Sequence, residues 1–128
     1  MAKHILVIEN DEKLVEILDE FLTAQGYTLH FRPQAYDIVP IVKELMPDLV
    51  LLDFLLPGTN GGELCMQIKK NELLRHIPVI IFTAFPRVLL ALDDYRCNAF
   101  ISKPFDLLAL VDQIEACLKE PQRDYLEL

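Results

Sequence analysis

Basic residues are scarce in this chain: 12 Lys and Arg stand against 20 Asp and Glu, a formal net charge of -8, and the isoelectric point is near 4.7. No basic stripe is available to neutralise phosphates, which argues against nucleic acid as a direct partner. The acidity has a simpler reading, that it keeps a hydrophobic domain soluble. Cysteine is also scarce. Cys65, Cys97 and Cys117 are odd in number, widely spaced and without a CxxC pair. A disulfide framework and a thiolate metal site are therefore unexpected, and reduced thiols in a cytoplasmic protein are expected. Long hydrophobic runs are missing too. The apolar run 5–8 is too short for a secretory core and is followed at once by acids. Asp53, Pro57 and Pro86-Arg87 break the longer stretches, so no membrane span is expected. There is no internal repeat, low-complexity segment or interdomain linker.

The chain does have 52% apolar residues over 128 positions, enough for one domain with one core. Strand-like runs alternate with helical patterns. Residues 4–8 read as a strand, and Leu14, Ile17, Leu18, Phe21 and Leu22 recur at helical spacing until Gly26 stops the helix. Residues 27–31 alternate as a strand. The next helix is expected to start near Asp37 as its N-cap, with Pro40 in the first turn and Pro47 beyond its end. A third strand follows over 48–53, then a loop over 57–62 and a helix over 63–71. Residues 77–82 form a β-branched strand, 86–95 a helix begun by proline, 99–102 the last strand and 105–119 the last helix. Five βα units with near-continuous apolar strands predict an α/β fold, a parallel sheet covered by helices on both faces. The domain is expected to fill 1–120, leaving 121–128 as a polar tail or linker stub.

Asp53 is the only charge in the apolar run 49–56 (LVLLDFLL). Left ionised and unpaired in a core, it would cost several kcal/mol, on the order of a buried-charge penalty. Three other apolar runs end in candidate partners: Glu9-Asn10-Asp11, Thr83 and Lys103. Ligands of open parallel sheets bind beyond the carboxyl ends of the strands, where all of these fall. Together they point to one ion-binding, phosphate-accepting site.

The stretches that carry this pattern are ILVIENDE at 5–12, PDLVLLD at 47–53 with LPG at 56–58, IPVIIFTA at 77–84 and SKPF at 102–105. In this order and at these intervals the chain resembles response regulator receiver domains, with their flavodoxin-like (CheY-like) fold, over nearly its whole length. The resemblance implies a three-layer (βα)5 architecture with strand order 2-1-3-4-5. Strands one and three are then neighbours, about 4.8 Å apart, so Glu9 and Asn10 can share a cation with Asp53. Strand five lies about 10 Å from strand three, a gap that the long stem of Lys103 can span. By resemblance Asp53 accepts a phosphoryl group from a histidine kinase or a phosphotransfer protein. Mg2+ is held by Asp53, Asn10, the Leu55 carbonyl and Glu9, directly or through water. Lys103 and Thr83 contact phosphoryl oxygens, and small Ala84 leaves them room. The resemblance also makes Thr83 and Phe100 the switch pair and makes Lys103-Pro104 a cis bond. The surface of the fourth helix, fifth strand and fifth helix then serves an output partner or a homodimer, and the apolar stretch 88–92 supports that placement. The protein is expected to be a phosphoacceptor, not an enzyme.

The family usually has two adjacent acids after strand one, where this chain has Glu9-Asn10. An amide oxygen ligates a hard cation without bringing charge, so weaker Mg2+ binding is expected. Asp11 either compensates or caps the first helix, and the cap is the commoner role of such an Asp. Leu55 and Phe85 are apolar flanks that would screen the phosphoryl group from water. His4, His30 and His76 are scattered and receive no ligand role, while Phe100 taken alone reads as a core aromatic. Two rivals remain. One is a degenerate receiver that only binds proteins, motivated by Asn10. The other is a small flavodoxin-like enzyme, disfavoured because no Gly-rich or Ser/Thr-rich phosphate loop follows strand one.

Overall fold

The computed structural model describes residues 2–84 and 96–119. The elements are β1 (His4–Ile8), α1 (Glu12–Ala24), β2 (Thr28–Arg32), α2 (Val39–Leu45), β3 (Leu49–Asp53), β4 (Leu55–Leu56), β5 (Thr59–Asn60), α3 (Gly61–Lys70), β6 (Val79–Thr83), β7 (Ala99–Ser102) and α4 (Leu107–Lys119). The expected helix over 86–95, its apolar stretch 88–92, Phe85 and the tail 121–128 lie outside the described residues. No described helix is long and apolar enough to cross a membrane.

The five main strands run parallel in the order β2-β1-β3-β6-β7, the doubly wound order expected. Period-2 alternation divides the core into two layers. Ile5, Val7, Leu49, Leu51, Ile80 and Phe82 meet Leu18 and Leu22 of α1 and Leu110 and Ile114 of α4. Leu6, Ile8, Val50, Leu52, Val79 and Ile81 meet Val42 of α2 and Leu64 and Ile68 of α3. Each of these residues is almost fully buried, which explains why the strands read as unbroken apolar runs.

Local chemistry moves several boundaries. Asp11 caps α1, its Oδ1 accepting from the Lys13 and Leu14 amides at 3.0 and 3.4 Å. Asp37 does not cap α2 directly. Its carboxylate accepts from Val39 N at 3.1 Å, while the Ile38 amide is satisfied by the Gln67 side chain at 2.9 Å. Asn60 accepts from Glu63 N at 2.9 Å, so α3 begins at Gly61, before the expected start. The expected loop over 57–62 holds the turn and second strand of a short antiparallel hairpin, in which β4 just before it pairs with β5. Gly58 makes its turn at φ 76°, a left-handed conformation that favours glycine. β6 starts at Val79 because Pro78 has no amide to give the ladder. The Val79 amide instead donates to Asn98 Oδ1 at 2.8 Å.

Two contacts fix α3. At its start the Gly61 amide donates to Phe54 O at 2.7 Å, and a Cβ at 61 would run into the Asp53 carbonyl. Near its end Lys69 is 1% exposed and donates its ammonium to Arg75 O at 3.1 Å and Ile77 O at 2.7 Å. Desolvation pushes the Lys69 pKa down to about 8.

Gly61→Ala is expected to lower stability by about 1–3 kcal/mol, the usual cost of forcing a methyl group into filled space. Urea denaturation checks this; an unchanged midpoint would mean that the Asp53 backbone yields freely.

Candidate functional site

Strand alternation aims the charged groups. Glu9, Asp53 and Lys103 each follow the strand residues Val7, Leu51 and Ile101 by two positions, so all three continue the series that faces α1 and α4. They meet at the carboxyl edge of the sheet, around a cavity of about 280 Å³ lined by Glu9, Asn10, Asp11, Asp53, Leu55, Thr83, Ala84 and Lys103. The structure thus brings together every residue assigned to the site except Phe100.

Lys103 holds the centre. Its ammonium donates to Glu9 Oε1 at 2.9 Å and lies 3.5 Å from Asp53 Oδ2. It also sits 4.6 Å from the centroid of the Phe82 ring, a cation–π contact. Phe82 in turn meets Phe105 edge to face, with centroids 6.0 Å apart. The Lys103 amide donates to Thr83 O at 2.7 Å, and the Lys103-Pro104 bond is cis. The gap between strands three and five is therefore bridged as the strand spacing predicts.

Glu9 is anchored on its other side. Its Oε2 accepts from the Asn10 and Asp11 amides at 2.7 and 3.1 Å. These backbone donors and the Lys103 ammonium make a buried carboxylate tolerable. Asp53 is less well compensated. Burial raises its pKa most, followed by its hydrogen bond and repulsion with Glu9, against a lowering by Lys103, and the net result is about 7. A pair of close carboxylates with one ammonium between them carries surplus negative charge, the property expected of a site that takes a hard cation.

Asn10 is exposed at the cavity rim, and Asp11 is engaged as the helix cap. Leu55 is 52% exposed and still lines the cavity. Thr83 is buried and Ala84 is exposed. Phe100, on the edge strand β7, is 42% exposed, which corrects its reading as a core aromatic. Two features escaped sequence reasoning. Phe82 forms the floor under Lys103, and its place beside Thr83 in the alternation was the available signal. The Glu9 carboxylate folds back onto its own loop amides, for which no spacing rule exists.

Residues 5–115 match the family model of the response regulator receiver domain. This chain belongs to that family. The polar-differentiation response regulator DivK of Brucella ovis is 32% identical to this receiver domain over 123 residues, spanning 92% of this chain and 98% of DivK. Among solved structures, the signal receiver domain of a signal transduction histidine kinase from Syntrophus aciditrophicus matches with a TM-score of 0.79 and 30% identity, covering 91% of this chain and 90% of that one. The receiver domain of the sensor histidine kinase PA1611 from Pseudomonas aeruginosa PAO1, solved with a magnesium ion in its active site cleft, shares the fold at a TM-score of 0.78 and 21% identity, over 94% and 100% of the two chains. This protein is thus a receiver domain of two-component signalling.

The raised Asp53 pKa gives a signed stability prediction. Between the unfolded value of 3.8 and the folded value of about 7, the native state holds more protons at this carboxyl than the unfolded chain. Its contribution is therefore fully present below pH 4 and is lost as pH rises to 7 and beyond. With metal chelated, Asp53→Asn should be near neutral at pH 4 and more stable than wild type by about 2–4 kcal/mol at pH 8. Thermal unfolding of both proteins across that range checks the trend, which a pH-independent difference would refute.

Proposed function

We propose that this receiver domain is a phosphoacceptor whose Asp53 carboxylate takes a phosphoryl group from a histidine kinase or phosphotransfer protein. The observation that carries this reading is the Lys103 ammonium held between the buried Glu9 and Asp53 carboxylates at the edge of an open cavity. An Asp53 oxygen forms a bond to phosphorus as the donor's N–P bond breaks, and the electron pair leaves with the donor imidazole. The attacking carboxyl must be ionised, and Lys103 favours that form. As charge moves onto the phosphoryl oxygens, Lys103 shifts its donation toward them and away from Glu9. The Thr83 hydroxyl contacts a second oxygen, and Ala84 leaves space beside it. Leu55 covers the reacting bond on the solvent side.

The oxygen-rich, surplus-anionic donor set fits Mg2+. Asp53, the Asn10 side-chain oxygen, the Leu55 carbonyl and Glu9, directly or through water, are the groups to hold it. When bound, the ion supplies positive charge to the transferring group. Asn10 contributes no charge, so Asn10→Asp should tighten Mg2+ binding about tenfold, since ligand charge count tunes such sites. Isothermal titration of both proteins checks this, and equal affinity would remove Asn10 as a ligand.

The output is a change of surface, not turnover of a small molecule, and the setting is the cytoplasm. Thr83 moving toward the phosphoryl group vacates space that Phe100 fills from its exposed position on β7. Phe100 has no hydroxyl, so no hydrogen bond of its own holds it outside. Phe100 and the 65% exposed Leu108 belong to the described part of the face assigned to an output partner or a second copy.

Incubation with a small acyl phosphate donor and Mg2+, followed by intact mass, tests the phosphoacceptor role. One added phosphoryl group is expected in wild type and none in Asp53→Asn. A wild type that never gains mass, while still binding a partner, would make the domain a degenerate receiver.

A further inference from the structure

At the opposite edge of the sheet, His4 of β1 and His30 of β2 meet. His4 pairs with Thr28 and Leu6 with His30 in the β1–β2 register, so the two histidines are diagonal neighbours on one face of parallel strands. His4 Nδ1 lies 3.0 Å from His30 Nε2. The ring planes are 12° apart and the centroids 5.3 Å apart. Rings stacked face to face with that N···N distance would bring their centroids closer. The observed spacing is that of two nearly coplanar rings meeting nitrogen to nitrogen, with one lone pair and one N–H directed into the same gap. His4 is exposed and His30 half-buried, so the meeting point is open to solvent.

We infer that His4 Nδ1 and His30 Nε2 form a two-imidazole chelate for a divalent first-row transition cation, distinct from the site around Asp53. Imidazole suits Cu2+, Ni2+ and Zn2+ and not Mg2+. At metal–nitrogen distances of about 2.0–2.1 Å, an N···N separation of 3.0 Å corresponds to an angle at the metal of about 95°. That is the cis angle of square-planar or octahedral sites, which favours Cu2+ and Ni2+ over tetrahedral Zn2+. Binding requires both rings to turn so that their lone pairs leave the N···N line and converge on the cation, in a tautomer with protons on His4 Nε2 and His30 Nδ1. No proton leaves the neutral pair. Water completes the coordination.

Two neighbouring features support the site. Asp48 lies beside His4 on the side away from β2: its Oδ2 accepts from His4 N at 2.8 Å, and its amide donates to His4 O at 2.8 Å. This pair of hydrogen bonds fixes the His4 backbone, and with it the origin of the imidazole. Lys3 is the nearby opposing charge, 4.0 Å from Asp48 Oδ1 and largely solvated. The His4 and His30 backbones are also held by the ladder between β1 and β2, so the chelate is joined by rigid strands and loses little freedom on binding.

Titration of the full chain with Cu2+, Ni2+ and Zn2+ at pH 7.5, followed by calorimetry, tests the inference. With excess Mg2+ present to occupy the carboxylate site, one equivalent is expected, with Cu2+ tightest and Zn2+ weakest. His4→Gln and His30→Gln should each weaken it on the order of tenfold or more, while Asp53→Asn and His76→Gln leave it unchanged. Circular dichroism of the variants establishes that they remain folded. Binding that survives His30→Gln, or that Asp53→Asn abolishes, overturns the shared site. So does an absence of binding at submillimolar metal. The Asp53→Asn arm separates this result from any failure of the phosphoacceptor reading.

Discussion

One ammonium group organises the functional edge of this protein. Lys103 stands between two carboxylates that would otherwise repel each other in a desolvated site. Burial makes each charge costly, and mutual attraction offsets that cost only when the geometry is good. Here the geometry is good on the Glu9 side and loose on the Asp53 side. Glu9 has a short bond to Lys103 and two loop amides, whereas Asp53 has a longer ion pair and a pKa raised to about 7. The asymmetry separates their roles. Glu9 is the better satisfied of the two carboxylates, and Asp53 the one with unmet charge.

The fold exists to place these groups. Two of its five main strands, β3 and β6, end in Asp53 and Thr83, and Glu9 and Lys103 come directly after the ends of β1 and β7. Parallel pairing puts all of those ends on one edge. The apolar layers on both faces supply rigidity, and the aromatic pair of Phe82 and Phe105 supplies a firm floor beneath the lysine. Chemistry at this edge therefore uses little of the chain directly and much of it indirectly, because the strand register sets every distance.

Much of this was legible in the residues alone. The main strands were visible because burial on both faces leaves no polar alternation to blur them. Asp53 stood out because a lone carboxylate among leucines demands compensation, and Lys103 followed from the strand spacing. Helix ends were less legible, since capping was shared among side chains distant in sequence, as when Gln67 satisfies Ile38. The β4–β5 hairpin was hidden because its first strand ends the apolar run 49–56 and its second lies in a segment that composition marked as loop. Buried Lys69 gave no sign, because its partners are backbone carbonyls that carry no sequence identity. The His4–His30 pair was invisible for a related reason: diagonal contact depends on register, and spacing along one strand says nothing about its neighbour's offset.

The two anchors of α3 have a mechanical consequence. Gly61 seats the helix against the backbone of β3, and Lys69 ties its far end to the segment leading into β6. A helix clamped at both ends cannot tilt without breaking buried polar bonds, so it behaves as a fixed wall. On the phosphoacceptor reading proposed above, displacement begun at Asp53 has its compliant route on the other side of the pocket, through Thr83 toward the outer strand. The clamp gives the molecule a stator, and with it a direction in which a local charge change can do work.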